Sequence, residues 1–521
     1  MLKGFINAEI WRKDSQAFLI EDGKFIRFGT NEEIEKECSS QDEVVDLKGA
    51  FVVPGFVDSH MHLLEYGNYL RNVQLKGTHS TDDILARLRA RLSSPEKIEW
   101  IIGRGYNEEE FNESHIPTKQ DLDGISHYIP ISITRSCGHK MVVNSKALEL
   151  AGIGPDSTID GGKIDFEHGW LEETALNVIH DIWPKPTVDS MKQDILAGAK
   201  AANRYGITYV GSDDFLSLCD DWRMALDAYM QLSYQEKLPL RVEEQCEFIS
   251  PQEFAAFLDE GYTYLVGDDY FHIGPLKLVT DGSLGARTAA LLKPYNDAKD
   301  TRGYMCYERA EMKAFMELAA EYNMPTICHA IGDKAVDTVL KLYEKIVLPG
   351  NPLHHGLVHC QIMTPEQTQK VVEMKLNCYF QSLFIDTDAK MLEARVGKDR
   401  AKSSYPFKTL FEGTCASNGS DAPVEEPDVL KGIELAVTRT SLDGSASMNR
   451  SECLSVEEAL ESYTDRGYDA FVQKDHLGSF EEGYDADFAV IDHNILNMKP
   501  EEIHTAKVIM TVMKGNTVFE R

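Results

Sequence analysis

The clearest hydrophobic patterning lies between residues 309 and 421. Met312, Phe315, Met316, Ala319 and Tyr322 recur at helical spacing and predict a helix with one apolar face. Met324-Pro-Thr-Ile-Cys-His329 follows as a short strand, and Val336, Val339, Leu340 and Tyr343 return to the helical period. Gly356-Leu-Val-His359 is the next strand. Thr364 then caps a helix, with Pro365 in the first turn and Gln367 closing a capping box. Leu376-Asn-Cys-Tyr-Phe-Gln381 and the run Thr414 to Asp421 are further strands. Strands separated by helices predict a parallel sheet. Many such units in one long chain predict a (β/α)8 barrel, drawn here from 53 to 476. A doubly wound open sheet is the alternative, but no Gly-x-Gly-x-x-Gly turn supports it, and no short-period repeat is present.

The two ends of the chain have a different texture. Residues 1–52 read as short strands joined by turns, with a hairpin signal at Asp22-Gly23 inside the apolar run 17–29. Near the other end, Phe488 to Ile491 and two apolar runs around Gly515-Asn516 read the same way. The expectation is one small β-sandwich built from both termini, residues 1–52 with 477–521. Two unrelated edge hairpins are the alternative. Residues 95–175 are less regular and carry Glu108 to Glu113, Ser136-Cys-Gly-His139 and Asp160-Gly-Gly162. They read as long loops or an insertion after the first barrel unit, with 104–175 expected to cover the barrel mouth. The Glu108 to Glu113 run serves equally as a solvated face.

Composition narrows the function. The chain has 521 residues, 85 acidic against 53 basic, for a net charge of -32. That balance argues against nucleic acid and anionic membrane as partners and serves solubility. No apolar run is long enough to span a bilayer, and the N-terminus lacks the apolar core of a signal peptide. The ten cysteines include no Cys-x-x-Cys pair, which suits a reduced, cytoplasmic protein.

The candidate chemistry sits where apolar strands end. Phe51-Val-Val-Pro-Gly-Phe-Val-Asp-Ser-His-Met-His62 ends in two histidines that alternate onto the same face. Lys277, His329, His359 and Asp421 end four later strands. In a barrel, such residues converge on the C-terminal mouth. Imidazole nitrogen and carboxylate oxygen suit zinc and similar divalent ions. A lysine ammonium repels a cation and serves only when neutral or when carbon dioxide converts it to a carbamate. Each residue also has a plain structural role open to it. A strand-end histidine can be a hydrogen-bonded core residue, Asp421 before Ala-Pro a turn former, and Lys277 a partner of Asp281.

Taken together these stretches resemble the amidohydrolase superfamily, in the branch that includes N-substituted formamide deformylases. Residues 53–62 are similar to its first-strand signature, and residues 277–290, Lys-Leu-Val-Thr-Asp-Gly-Ser-Leu-Gly-Ala-Arg-Thr-Ala-Ala, to a motif of this branch. His329-Ala-Ile-Gly-Asp333, Val358-His-Cys-Gln361 and Gly419-Ser-Asp-Ala-Pro423 resemble its later strand ends. Gly138-His139, Asn144-Ser145, Gly169-Trp-Leu-Glu-Glu173 and the return Leu477 to Asp487 complete the likeness. Cys360 and Cys137 depart from the branch pattern.

The resemblance implies an enzyme that hydrolyses a carbon–nitrogen bond of an amide, formamide or cyclic amide with metal-activated water. It implies one or two divalent ions, zinc foremost, on His60, His62, His329, His359 and Asp421. Lys277 as a carboxylated lysine, or Glu173, is the bridging ligand. Asp421 acts as general base and acid, and His359 or His139 donates to the developing oxyanion. His139, Asn144 and Arg287 are expected to meet a small-molecule substrate, and a homodimer is expected. A ring-amidine deaminase and a non-catalytic regulatory relative are the alternative readings.

Overall fold

Pro54 and Gly55 divide the apolar run after residue 50 into two strands, Phe51–Pro54 and Phe56–Met61. The first belongs to a sheet made by the chain ends, the second to a barrel. Glycine is required at the division, because a Cβ on Gly55 would lie 2.1 Å from the Thr208 hydroxyl. The computed structural model describes residues 2–94, 98–112, 114–471 and 476–521, so Glu113 of the acidic run lies outside the described residues. The chain forms two compact units, Met1–Glu65 with Gly198–Arg521, and Tyr66–Ala197.

In the larger unit, eight parallel strands form a nearly closed barrel: β1 (Phe56–Met61), β2 (Ile207–Ser212), β3 (Arg241–Cys246), β4 (Phe271–Val279), β5 (Thr326–Ala330), β6 (Gly356–His359), β7 (Asn377–Phe380) and β8 (Ala416–Asn418). They are hydrogen-bonded in sequence order from β1 to β8. Beyond the strand ends, the Asp421 N–H donates to the His60 carbonyl at 2.9 Å and the His62 N–H to the Ala422 carbonyl at 2.8 Å, drawing β8 to β1. Helices follow the strands as the periodicity predicts. Arg309–Glu321 buries Met312, Phe315, Met316 and Ala319, and Pro365–Met374 carries the full Thr364/Gln367 capping box.

Both termini join in two further sheets. One holds Lys3–Ile6, Ala17–Glu21, Lys24–Gly29 and Glu43–Asp46; the other holds Glu9–Ile10, Phe51–Pro54, Phe488–Ile491, Val508–Met513 and Asn516–Glu520. Phe5, Phe18 and Phe25 from the first pack on Val52, Phe488, Val490 and Val512 from the second, giving the sandwich its core. Residues 1–52 are not strands alone: Thr30 and Glu33 form a capping box that opens a helix, Asn31–Glu37.

Of the two expectations, long loops or an insertion after the first barrel unit, the smaller unit matches the insertion. It holds a six-stranded sheet in the order Gly162–Asp165, Trp170–Glu173, Lys140–Val143, Ile131–Arg135, Ile101–Tyr106 and Val73–Gln74. Leu75, Ile84, Leu88, Ile101, Ile131, Ile133 and Val142 form its core. Its strands are short and interrupted by Gly103, Gly105 and Lys163, so their alternation is weak in the sequence.

Candidate metal centre and active site

Each of the eight barrel strands delivers a polar side chain at its C-terminal end. These are His60 on β1, Asp213 just past β2, Gln245 on β3, Lys277 on β4, His329 on β5, His359 on β6, Gln381 just past β7 and Asp421 beyond β8. His62 follows β1 directly. Removing so many polar groups from water is costly unless they find partners, and here they find one another. Asp421 and His359 have φ of 59° and 77°, a region that non-glycine residues rarely occupy and that clusters at functional sites.

His60 Nε2 and His62 Nε2 lie 3.4 and 3.3 Å from the same oxygen, Asp421 Oδ1. The three side chains can offer one ligand atom each within 4.8 Å of one another. His359 faces His60 edge-on at 5.6 Å between ring centroids, and His329 faces His359 at 4.4 Å. Lys277, almost fully buried, places Nζ 3.1 Å from His60 Nε2 and 3.2 Å from Asp213 Oδ2. Its partner is therefore Asp213 rather than Asp281. Asp281 instead accepts backbone N–H groups from Ala290, Ile331 and Gly332 and sits 3.0 Å from His329 Nδ1.

Burial and the two carboxylates, Asp421 and Asp213, set the electrostatics of the cluster. Burial, then the Lys277 ammonium, pushes His60 down to about 4. Burial also works against a charge on His62, but the Asp421 and Asp213 carboxylates outweigh it and lift that imidazole to about 10. Burial acts to raise the Asp421 carboxyl, yet the imidazoles of His60 and His62 set against it hold it well below the usual carboxylate range. Burial, with His329 beside it, keeps His359 well below an ordinary histidine. One carboxylate and imidazole nitrogens meeting at a point form a donor set that fits a divalent ion once His62 gives up its proton. Among the described residues these atoms have no other cation between them except the His62 proton and the Lys277 ammonium.

Several expected residues have other work. Asn144 is fully buried and caps the helix Ser145–Leu150; its oxygen accepts from Ile131 and Ala147 and its amide donates to Ser126 and Ile129. With both ends used, it has no capacity for substrate. Arg287 is held by Asp297 at 3.1 and 2.9 Å, and Arg395 binds the same carboxylate, so Arg287 fastens the loop after β4. His359 Nδ1 is taken up by Gln381 Oε1 at 2.7 Å and so is not free to donate to an oxyanion. His139 and Glu173 belong to the smaller unit, where both are exposed and 3.1 Å apart.

Sequence reading missed Asp213, Gln245 and Gln381. Asp213 ends the apolar run Ile207 to Ser212 and carried the same signal as the histidines. The glutamines gave no such signal, because an amide is not a usual zinc ligand.

Comparison with known proteins identifies the family. The amidohydrolase family profile matches residues 43–519. The chain is 34% identical to the putative amidohydrolase YtcJ of Bacillus subtilis (strain 168), over 99% of this chain and 98% of that protein. It is 23% identical to an N-substituted formamide deformylase of Arthrobacter pascens, over 99% and 98% of the two chains. The crystal structure of an uncharacterized metal-dependent hydrolase from Pyrococcus horikoshii OT3 superposes with a TM-score of 0.76 at 30% identity, over 96% of this chain and 99% of that one. This chain belongs to the amidohydrolase family.

Proposed function

We propose that the protein hydrolyses a carbon–nitrogen bond in a small amide, N-substituted formamide or cyclic amide. The observation that carries this reading is the convergence of His60 Nε2 and His62 Nε2 on Asp421 Oδ1 at the mouth of the barrel. His60, His62 and Asp421, with His329 and His359 beside them, are the residues proposed to hold zinc. A zinc ion supplies a Lewis acid for the carbonyl and brings the ionisation of water near neutral pH. Asp421, kept ionised by its two histidines, takes a proton from water and delivers it to the departing nitrogen. His62 is turned towards Asp421 by its Nδ1 hydrogen bond to the Asp213 carbonyl at 2.7 Å.

Lys277 decides the stoichiometry. As the ammonium that pairs with Asp213, it accompanies one ion. Converted to a carbamate, it supplies two oxygens and accompanies two ions, and Lys277→Ala is then rescued by short carboxylates. The formamide deformylase relative is the ground for placing N-substituted formamides first in a substrate panel. The test is a panel of formamides, amides, cyclic amides and ring amidines, run with zinc-loaded and chelator-treated protein. Formate or amine release that depends on zinc supports the reading. Ammonia release from ring amidines alone replaces it with the deaminase reading, and turnover unaffected by complete metal removal overturns it.

A further inference from the structure

Two histidine rings of the cluster, His60 and His359, each meet a glutamine that no ligand set includes. Gln245 is fully buried and makes two hydrogen bonds. Its Nε2 donates to the Ser59 carbonyl at 2.9 Å, and its Oε1 lies 2.6 Å from His60 Nδ1. A backbone carbonyl accepts only, so the amide can be placed one way round. Its oxygen then faces His60, and an amide oxygen also accepts only. His60 therefore carries its proton on Nδ1 and turns the Nε2 lone pair towards Asp421. Gln381 repeats the device from the other side of the barrel. Its Nε2 donates to the Tyr379 carbonyl at 3.1 Å, and its Oε1 takes the Nδ1 proton of His359 at 2.7 Å.

The backbone makes room for the first of these amides. A Cβ on Gly211 would lie 2.5 Å from Gln245 Nε2 and 2.7 Å from the Ser59 carbonyl. A Cβ on Gly419 would meet the His60 backbone at 2.7 Å. Glycine thus stands on β2 and just past β8, where the amide and the His60 backbone pass. Three of the four rings face neutral oxygens, whereas His329 Nδ1 lies 3.0 Å from the Asp281 carboxylate. His60 and His359 face neutral amide oxygens, and His62 faces the neutral Asp213 carbonyl. A carboxylate in the same place would make the imidazole more basic. A neutral oxygen orients the ring without adding charge.

We propose that Gln245 and Gln381 are positioning residues that fix the Nδ1–H tautomer of His60 and His359, and so set the affinity and charge of the metal centre. The inference rests on the reading of these histidines as metal ligands, and the experiment separates the two. Long-range 1H–15N spectra of the metal-free wild type, Gln245→Ala and Gln381→Ala read the ring tautomers directly. Zinc affinity of the same proteins is measured by competition with a chromogenic chelator, and thermal unfolding of the metal-free forms checks the fold. The wild type should show the Nδ1–H tautomer at both rings. Each alanine variant should lose it at its own histidine and bind zinc roughly 10- to 100-fold more weakly. Gln245→Glu, the isosteric acid, should keep the tautomer and move the acid limb of kcat/KM to higher pH. If both alanine variants retain the wild-type tautomer and zinc affinity, the proposal is overturned. If the tautomers respond but the wild type binds no zinc, the glutamines still orient the rings and the metal reading fails instead. Should an alanine variant not fold, Gln245→Glu and Gln381→Glu decide alone, and an unshifted acid limb in both counts against the proposal.

Discussion

Among the described residues, two groups of histidine and carboxylate in the barrel unit have ligand-like spacing: His60, His62 and Asp421, and Asp269, His476 and Asp485. Their residue types are nearly the same, but their surroundings are opposite. In the second group, Arg241 and Lys24 bind Asp485 at 2.6 and 3.1 Å, and Lys514 binds Asp269 at 3.0 Å. Arg241 also bridges to Asp487 at 2.5 Å. The carboxylates there already have permanent cations. In the first group the positive charge facing Asp421 is a titratable proton on His62, which a metal ion can replace, while His60 turns a lone pair to the same oxygen. Strand β3 serves both, with Arg241 at its start and Gln245 near its end. A structural cluster satisfies its own charge, whereas a binding cluster leaves donor atoms facing one another.

Breaking the first group should have the largest effect. Asp421→Asn removes both the shared oxygen anion and the proposed proton carrier, and kcat/KM is expected to fall by about 10³-fold or more. Activity assays on folded protein check this, and retention of a tenth of the activity would remove Asp421 from the mechanism. Breaking the second group should affect stability instead. Arg241→Ala leaves the buried Asp485 and Asp487 without their shared cation and should cost roughly 3–5 kcal/mol. Denaturant unfolding reads that loss, while zinc content per folded molecule should not change.

A buried carboxyl outside both groups gives a smaller effect with a definite sign. Asp388 is lifted to about 6, chiefly by burial, against a hydrogen bond from Tyr405 that favours the ion. A carboxyl raised in the folded state contributes stability that is present below about 4 and lost as pH rises through about 6. Asp388→Asn cannot titrate, so it should gain on the wild type by roughly 2–3 kcal/mol between pH 4 and pH 7. A difference independent of pH in paired unfolding curves would rule this out. The smallest effect belongs to His476→Ala. Its ring is 4.0 Å from Asp485 and is not needed to balance that charge, so metal content and activity should stay within error of the wild type.

The barrel was legible in the sequence because its strands are apolar runs and its helices keep one buried face. Gly356–His359 was read to the residue, and the capping box at Thr364 was read outright. The barrel was drawn from residue 53, whereas Val53 and Pro54 belong to the sandwich strand and the first barrel strand opens at Phe56. The sheet of the smaller unit was not legible, because strands such as Gly162–Asp165 are only partly buried and carry little alternation. At the candidate site, ligand-type residues stood out by chemistry. Asn144 misled because a helix cap and a substrate contact call for the same side chain. His359 was visible as a histidine, but that its Nδ1 is not free to donate follows only from Gln381, which meets it across the sheet.

The most direct test is anomalous diffraction at the zinc absorption edge from crystals of zinc-loaded protein. The account predicts a peak about 2.1 Å from His60 Nε2 and from His62 Nε2, with an Asp421 oxygen on the same ion, and none at Asp269, His476 and Asp485. A peak at the second group with none at the first, or no ordered zinc beside His60 in protein that hydrolyses its substrate, would contradict it.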